Sequence, residues 1–140
     1  MNMKRLSYRL MGIGGIIEIL IAIFHFVWPV KLINTGEFSG LSGYYSDLVI
    51  LSSLSIGLCL FIFGILSIYF SRRLLKEEKT ALVYSTSQAV LWGVRGIFEA
   101  IFPVSVPIYF MENPTIYILS LSFLLSLLFL TPLLMKEGFR

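Results

Sequence analysis

The sequence predicts an all-α polytopic membrane protein of four transmembrane helices, with both termini cytoplasmic. Composition points there first. Hydrophobic residues make up 57% of the 140 residues and charged residues only 14%, and the mean hydropathy is +0.88. A soluble domain is nearer half apolar and a quarter charged, so this chain has too little polar surface to stay in water. The apolar residues also fall into four runs of span length, each close to the ~20 residues that cross a hydrocarbon core of ~30 Å. Nearly all the cations lie in segments that alternate runs would place on one side.

The first run covers residues 8–28, YRLMGIGGIIEILIAIFHFVW, and Pro29 is expected to end it. The basic start MNMKRLSYRL is like the n-region of a signal peptide. The run that follows is too long for an h-region, contains Glu18 and lacks an A-x-A site, so an uncleaved span is expected. The second run is 47–70, where Asp47 is placed to cap the helix N-terminus. The third is 81–103, ALVYSTSQAVLWGVRGIFEAIFP, and the fourth is 115–135. These runs are too long for barrel strands and do not alternate, which leaves helices. The expected organisation is one domain, 1–140, with a cytoplasmic linker at 71–80 and external loops at 29–46 and 104–114.

Orientation follows from Lys and Arg. Of the 11 such residues, all but Lys31 and Arg95 lie at the N-terminus (Lys4, Arg5, Arg9), in the linker (Arg72, Arg73, Lys76, Lys79) or in the tail (Lys136, Arg140). The positive-inside rule puts all three segments in the cytoplasm, and the plasma membrane is the expected location. Trp28, Tyr44, Tyr45 and Tyr109 then fall near the outer boundary, as interfacial anchors. HFVWPV (25–30) and EAIFPV (99–104) align without gaps, a short match compatible with two repeated helical hairpins.

Several function classes have no support. No basic block with interleaved aromatics is present, so nucleic acid is not an expected partner. Cys59 is the single cysteine, which excludes an intrachain disulfide or a CxxC motif and makes it a packing residue by expectation. His25 is the single histidine, so neither a metal nor any other cofactor is expected. The GIGG of 12–15 lacks the preceding strand and the third glycine of a nucleotide-binding turn. No nucleophile or metal constellation is recognisable, no catalytic residue is assigned, and an intramembrane acid–base enzyme is the least supported class.

What needs explaining is the set of ionisable residues inside the spans. On the third span Ser85, Gln88, Trp92, Arg95 and Glu99 recur at helical spacing and form one face. On the first, Glu18 and His25 share a face. Counted from the cytoplasmic ends, Glu18 lies roughly 15 Å deep, Arg95 about 21 Å, and His25 and Glu99 about 25–27 Å. If spans 1 and 3 are neighbours, these groups meet in the outer half of the membrane.

A charge at a helix centre costs roughly 2.5–3.5 kcal/mol on insertion scales, so each needs a partner. Arg95 can reach Glu99, its i+4 neighbour. Glu18 is then in excess, and a proton on Glu18 or His25, or a bound cation, must balance it; burial favours a neutral carboxyl.

Two readings compete. In one, Glu18, His25, Trp92, Arg95 and Glu99 form a site that binds or moves a proton or a small polar or anionic solute. In the other, the cluster only locks helices together in an assembly or regulatory subunit. Small residues (Gly12, Gly15, Ser53, Gly57, Gly64, Ser122, Ser126) mark close helix contacts, within the bundle or between copies in a homo-oligomer.

Overall fold

The computed structural model describes residues 3–36, 42–104 and 113–135, and within them every regular element is helical. The helices are α1 (Met3–Thr35), α2 (Gly43–Leu74), α3 (Lys79–Ile101) and α4 (Pro114–Leu134). Three of them, α1, α2 and α4, are long and apolar enough to cross a membrane. The 23-residue α3 has the length but falls short in hydropathy, interrupted by Ser85, Thr86, Ser87, Gln88, Arg95 and Glu99. Four helices are therefore present where four spans were expected, and three of them have the length and composition of a span.

Pro29 does not end the first helix. It is buried inside α1, which continues to Thr35. A proline within a helix removes the N–H that would bond the carbonyl four residues earlier, here that of His25. The Ser53 hydroxyl on α2 donates to that carbonyl at 2.9 Å. A tertiary donor replaces the missing backbone one, and the helix tolerates its proline.

Asp47 does not cap α2. The helix starts a turn earlier at Gly43, where the Ser42 carbonyl accepts from the N–H groups of Tyr45 and Ser46, and Asp47 is exposed on the helix side. Nothing between Gly43 and Asp47 breaks a helix, so α2 extends a turn beyond the apolar run. The 71–80 linker is likewise mostly helical. It narrows to a turn in which Glu77 takes a left-handed φ of 58°. The Glu78 N–H bonds the Arg73 carbonyl and the Glu77 N–H bonds that of Leu74, the paired bonds of a Schellman end. Arg73 Nη1 then donates to both carboxylate oxygens of Glu78, at 3.0 and 2.8 Å.

The described chain forms two compact units: Met1–Gly14 with Tyr69–Arg140, and Gly15–Ile68. The second is an antiparallel hairpin of α1 and α2 built on glycine. A Cβ added to Gly64 would lie 2.6 Å from Ile19 Cγ1 and 2.7 Å from the Gly15 carbonyl oxygen. One added to Gly57 would lie 3.1 Å from His25 Cβ.

In the first unit the contacts run in a ring. Gly12 faces Ser71, Phe70 stacks on Tyr84 at 4.7 Å, Ser126 donates to the Ala89 carbonyl, and the Phe129 ring rests on Gly14. Within this unit the end of α2 meets α3, α3 meets α4, and α4 closes on the start of α1. The small residues picked from the sequence are thus used within the chain. Cys59 is the exception to the packing expectation. It is exposed, because the helical period turns it away from the buried Gly57, Leu60 and Gly64.

The proline account predicts a specific rescue. Ser53→Ala should cost about 1 kcal/mol by orphaning the His25 carbonyl. Pro29→Ala in the same chain should restore most of it by returning the backbone donor. Thermal unfolding of detergent-solubilised single and double variants checks this, and a Pro29→Ala substitution that gives no recovery contradicts it.

Candidate functional site

The polar stripe of α3 is buried as its spacing predicts. Ser85, Gln88, Trp92 and Glu99 are all inside, Trp92 at 6% exposure. Ser85 donates to the Phe129 carbonyl on α4, and the Gln88 amide donates to the Tyr84 hydroxyl at 3.1 Å. Gln88 Oε1 has no partner among the described residues, and neither does the buried hydroxyl of Ser122. Arg95 departs from the stripe, with its side chain 41% exposed.

Glu99 is 1% exposed and bonded through both oxygens. Oε2 accepts from Arg95 Nη2 at 2.8 Å, and Oε1 accepts from the backbone N–H of Val104 at 3.0 Å. The Val104 carbonyl in turn accepts from Thr115 Oγ1, in the first turn of α4. Glu99 therefore ties the end of α3 to the segment leaving it, and that segment to the start of α4. Arg95 Nη2 and Val104 N–H are both donors, so these bonds engage Glu99 only as an acceptor.

The aligned hexapeptides take different structures for the same reasons. After Glu99 the helix stops, with Phe102 closing it and Pro103 beyond; after His25 it runs through Pro29. The two positions share a sequence pattern and not a geometry.

Glu18 and His25 belong to the hairpin unit. Glu18 is 0% exposed, and its Oε2 accepts from Ser67 Oγ at 2.8 Å. Ser67 also flanks the closest approach of α1 and α2, with its Cβ 2.8 Å from where a Cβ on Gly15 would be. His25 is half-buried. Its Nδ1 lies 2.8 Å from the Ile21 carbonyl, and since a carbonyl can only accept, Nδ1 carries the proton. Glu18 and His25 are roughly 10 Å apart along the helix axis, so neither is the other's direct partner.

The structure thus brings Arg95 and Glu99 together within one unit and gives Glu18 its own partner in the other. Sequence reading missed Ser67, Val104 and Thr115. Ser67 left a faint signal, a hydroxyl one turn after Gly64 in an apolar run; a backbone N–H as a carboxylate partner leaves none. Among the described residues no group of three or more His, Cys, Asp or Glu side chains is placed to hold a metal ion. Tyr109, Lys136 and Arg140 lie outside the described residues. Comparisons with protein-family models, curated proteins and solved structures found no match.

The latch at Glu99 makes a coupling prediction. Arg95→Leu should destabilise by about 1–3 kcal/mol, because it strips a buried carboxylate of one donor. Replacing both residues by Leu should cost less than the sum of the single changes, in a double-mutant cycle read by thermal unfolding. Strict additivity would mean the pair is not coupled.

Proposed function

We propose that this chain is an integral protein of the plasma membrane, both termini cytoplasmic, which binds or carries a proton or small solute at Glu18. Three apolar helices of crossing length support the membrane setting, and the one-sided distribution of Lys and Arg supports the orientation. The site reading rests on the contrast between the two buried carboxyls. The main donors to Glu99 are a guanidinium and a backbone N–H, groups that cannot accept a hydrogen bond. Glu18 is engaged by the Ser67 hydroxyl, which can donate to a carboxylate or accept from a carboxylic acid. The Glu18–Ser67 bond can therefore persist whichever way Glu18 is protonated, which suits a group that changes state.

Arg95 is half exposed and held by Glu99 through one nitrogen, so its remaining N–H groups are the proposed anchor for an anionic or polar group. Trp92, buried one turn earlier on α3, belongs to the same unit; in the hairpin unit, the Nε2 of His25 is not used by the bond to Ile21.

The packing alternative, an assembly or regulatory subunit, is favoured by one observation. The Arg95–Glu99–Val104–Thr115 chain of bonds joins α3 to α4 with no need of a ligand. It accounts for the α3 corner and leaves Glu18 to be explained.

Liposomes holding a pH-sensitive dye separate the two readings. Purified wild type should dissipate an imposed pH gradient faster than protein-free liposomes do. Glu18→Gln should incorporate equally well and fall to the protein-free rate. Equal flux in wild type and Glu18→Gln would remove Glu18 from the function.

A further inference from the structure

We infer that the outward groove between the start of α3 and the end of α4 seats an anionic phospholipid, with its acyl chain in the groove and its headgroup phosphate at Lys79. The groove is open, has a volume of ≈ 480 Å³ and is lined by Leu82, Val83, Thr86, Ser87, Val90 and Leu133. Its two hydroxyl residues do not make it polar. Thr86 Oγ1 donates to the Leu82 carbonyl and Ser87 Oγ to the Val83 carbonyl, each at 3.0 Å, so the walls offer methyl and methylene surface. An acyl chain matches such a wall; a polar solute would find no partner there.

The charge at one end of the groove selects the headgroup. Lys79 is exposed and begins α3 one turn before Val83, on the same outward stripe that continues through Ser87, Val90 and Val94. A chain lying along that stripe brings its phosphate to the ammonium. The first turn of α3 adds the positive end of the helix dipole. Glu78, the nearest carboxylate in sequence, is neutralised by Arg73 at 2.8 Å. Cations at a bilayer surface are worth about 1 kcal/mol each toward anionic lipid, which converts to roughly a fivefold preference per residue.

This inference rests on the membrane setting proposed above, and not on any role for Glu18. Detergent-purified protein titrated with phosphatidylglycerol or phosphatidylcholine of identical chains, read by native mass spectrometry, tests it. Wild type should retain phosphatidylglycerol about fivefold better. Lys79→Gln should bring the two lipids level, and Val90→Trp, which fills the groove, should lower both. Arg9→Gln, outside the groove, should behave as wild type.

Equal retention of the two lipids by wild type overturns the inference. So does a loss in Arg9→Gln as large as that in Lys79→Gln, which would mean diffuse charge and no groove site. A failure of the membrane setting itself would show separately, as a chain that stays dispersed in buffer without detergent.

Discussion

At Gly15 and Gly64 the backbones of α1 and α2 approach so closely that a Cβ on either residue would come within 2.7 Å of the other's carbonyl oxygen. No other residue type fits at that crossing, and the hairpin register depends on it. With the helices in this register, Ser67 comes beside Gly15 and within 2.8 Å of the Glu18 carboxylate one turn away. Further along the same interface Gly57 accommodates His25 and Phe26, and Ser53 reaches the carbonyl that Pro29 leaves without a donor. Small residues set the separation, and the polar partners follow from it.

The same physics gives the two buried carboxyls different fates. Both are buried away from solvent, so each must be bonded inside the protein. Glu99 sits where a helix ends, so a backbone N–H past the terminus is free to bond it, and Arg95 is one turn away on the same helix. Glu18 sits in mid-helix, where backbone donors are already used within the helix, so a side chain on a neighbouring helix must serve. Position in the element, rather than residue type, gives one carboxyl a guanidinium and a backbone N–H and the other a hydroxyl, the difference on which the proposed role of Glu18 rests.

Much of this was legible in the sequence where it depends on period or composition. The four helices, the buried face from Ser85 to Glu99, the Arg95–Glu99 pair and the small residues at the helix contacts all follow from spacing along one chain segment. What escaped depends on a partner distant in sequence or on backbone geometry. Pro29 reads as a helix end unless Ser53 is known to stand opposite. Asp47 reads as a cap because a carboxylate at the edge of an apolar run suits a helix N-terminus, and nothing local shows that the helix runs on past the apolar boundary to Gly43. The left-handed Glu77 closing α2 occupies a position where glycine is the usual mark.

The central claim is that Glu18 is a buried carboxyl that changes protonation state in the membrane. Infrared spectroscopy of wild type and Glu18→Gln in lipid nanodiscs, titrated across pH, addresses it without assuming a substrate. The account predicts a carboxylic-acid C=O band in wild type that fades as pH rises and is missing from Glu18→Gln. Wild-type and Glu18→Gln spectra that match in that region at every pH would contradict it.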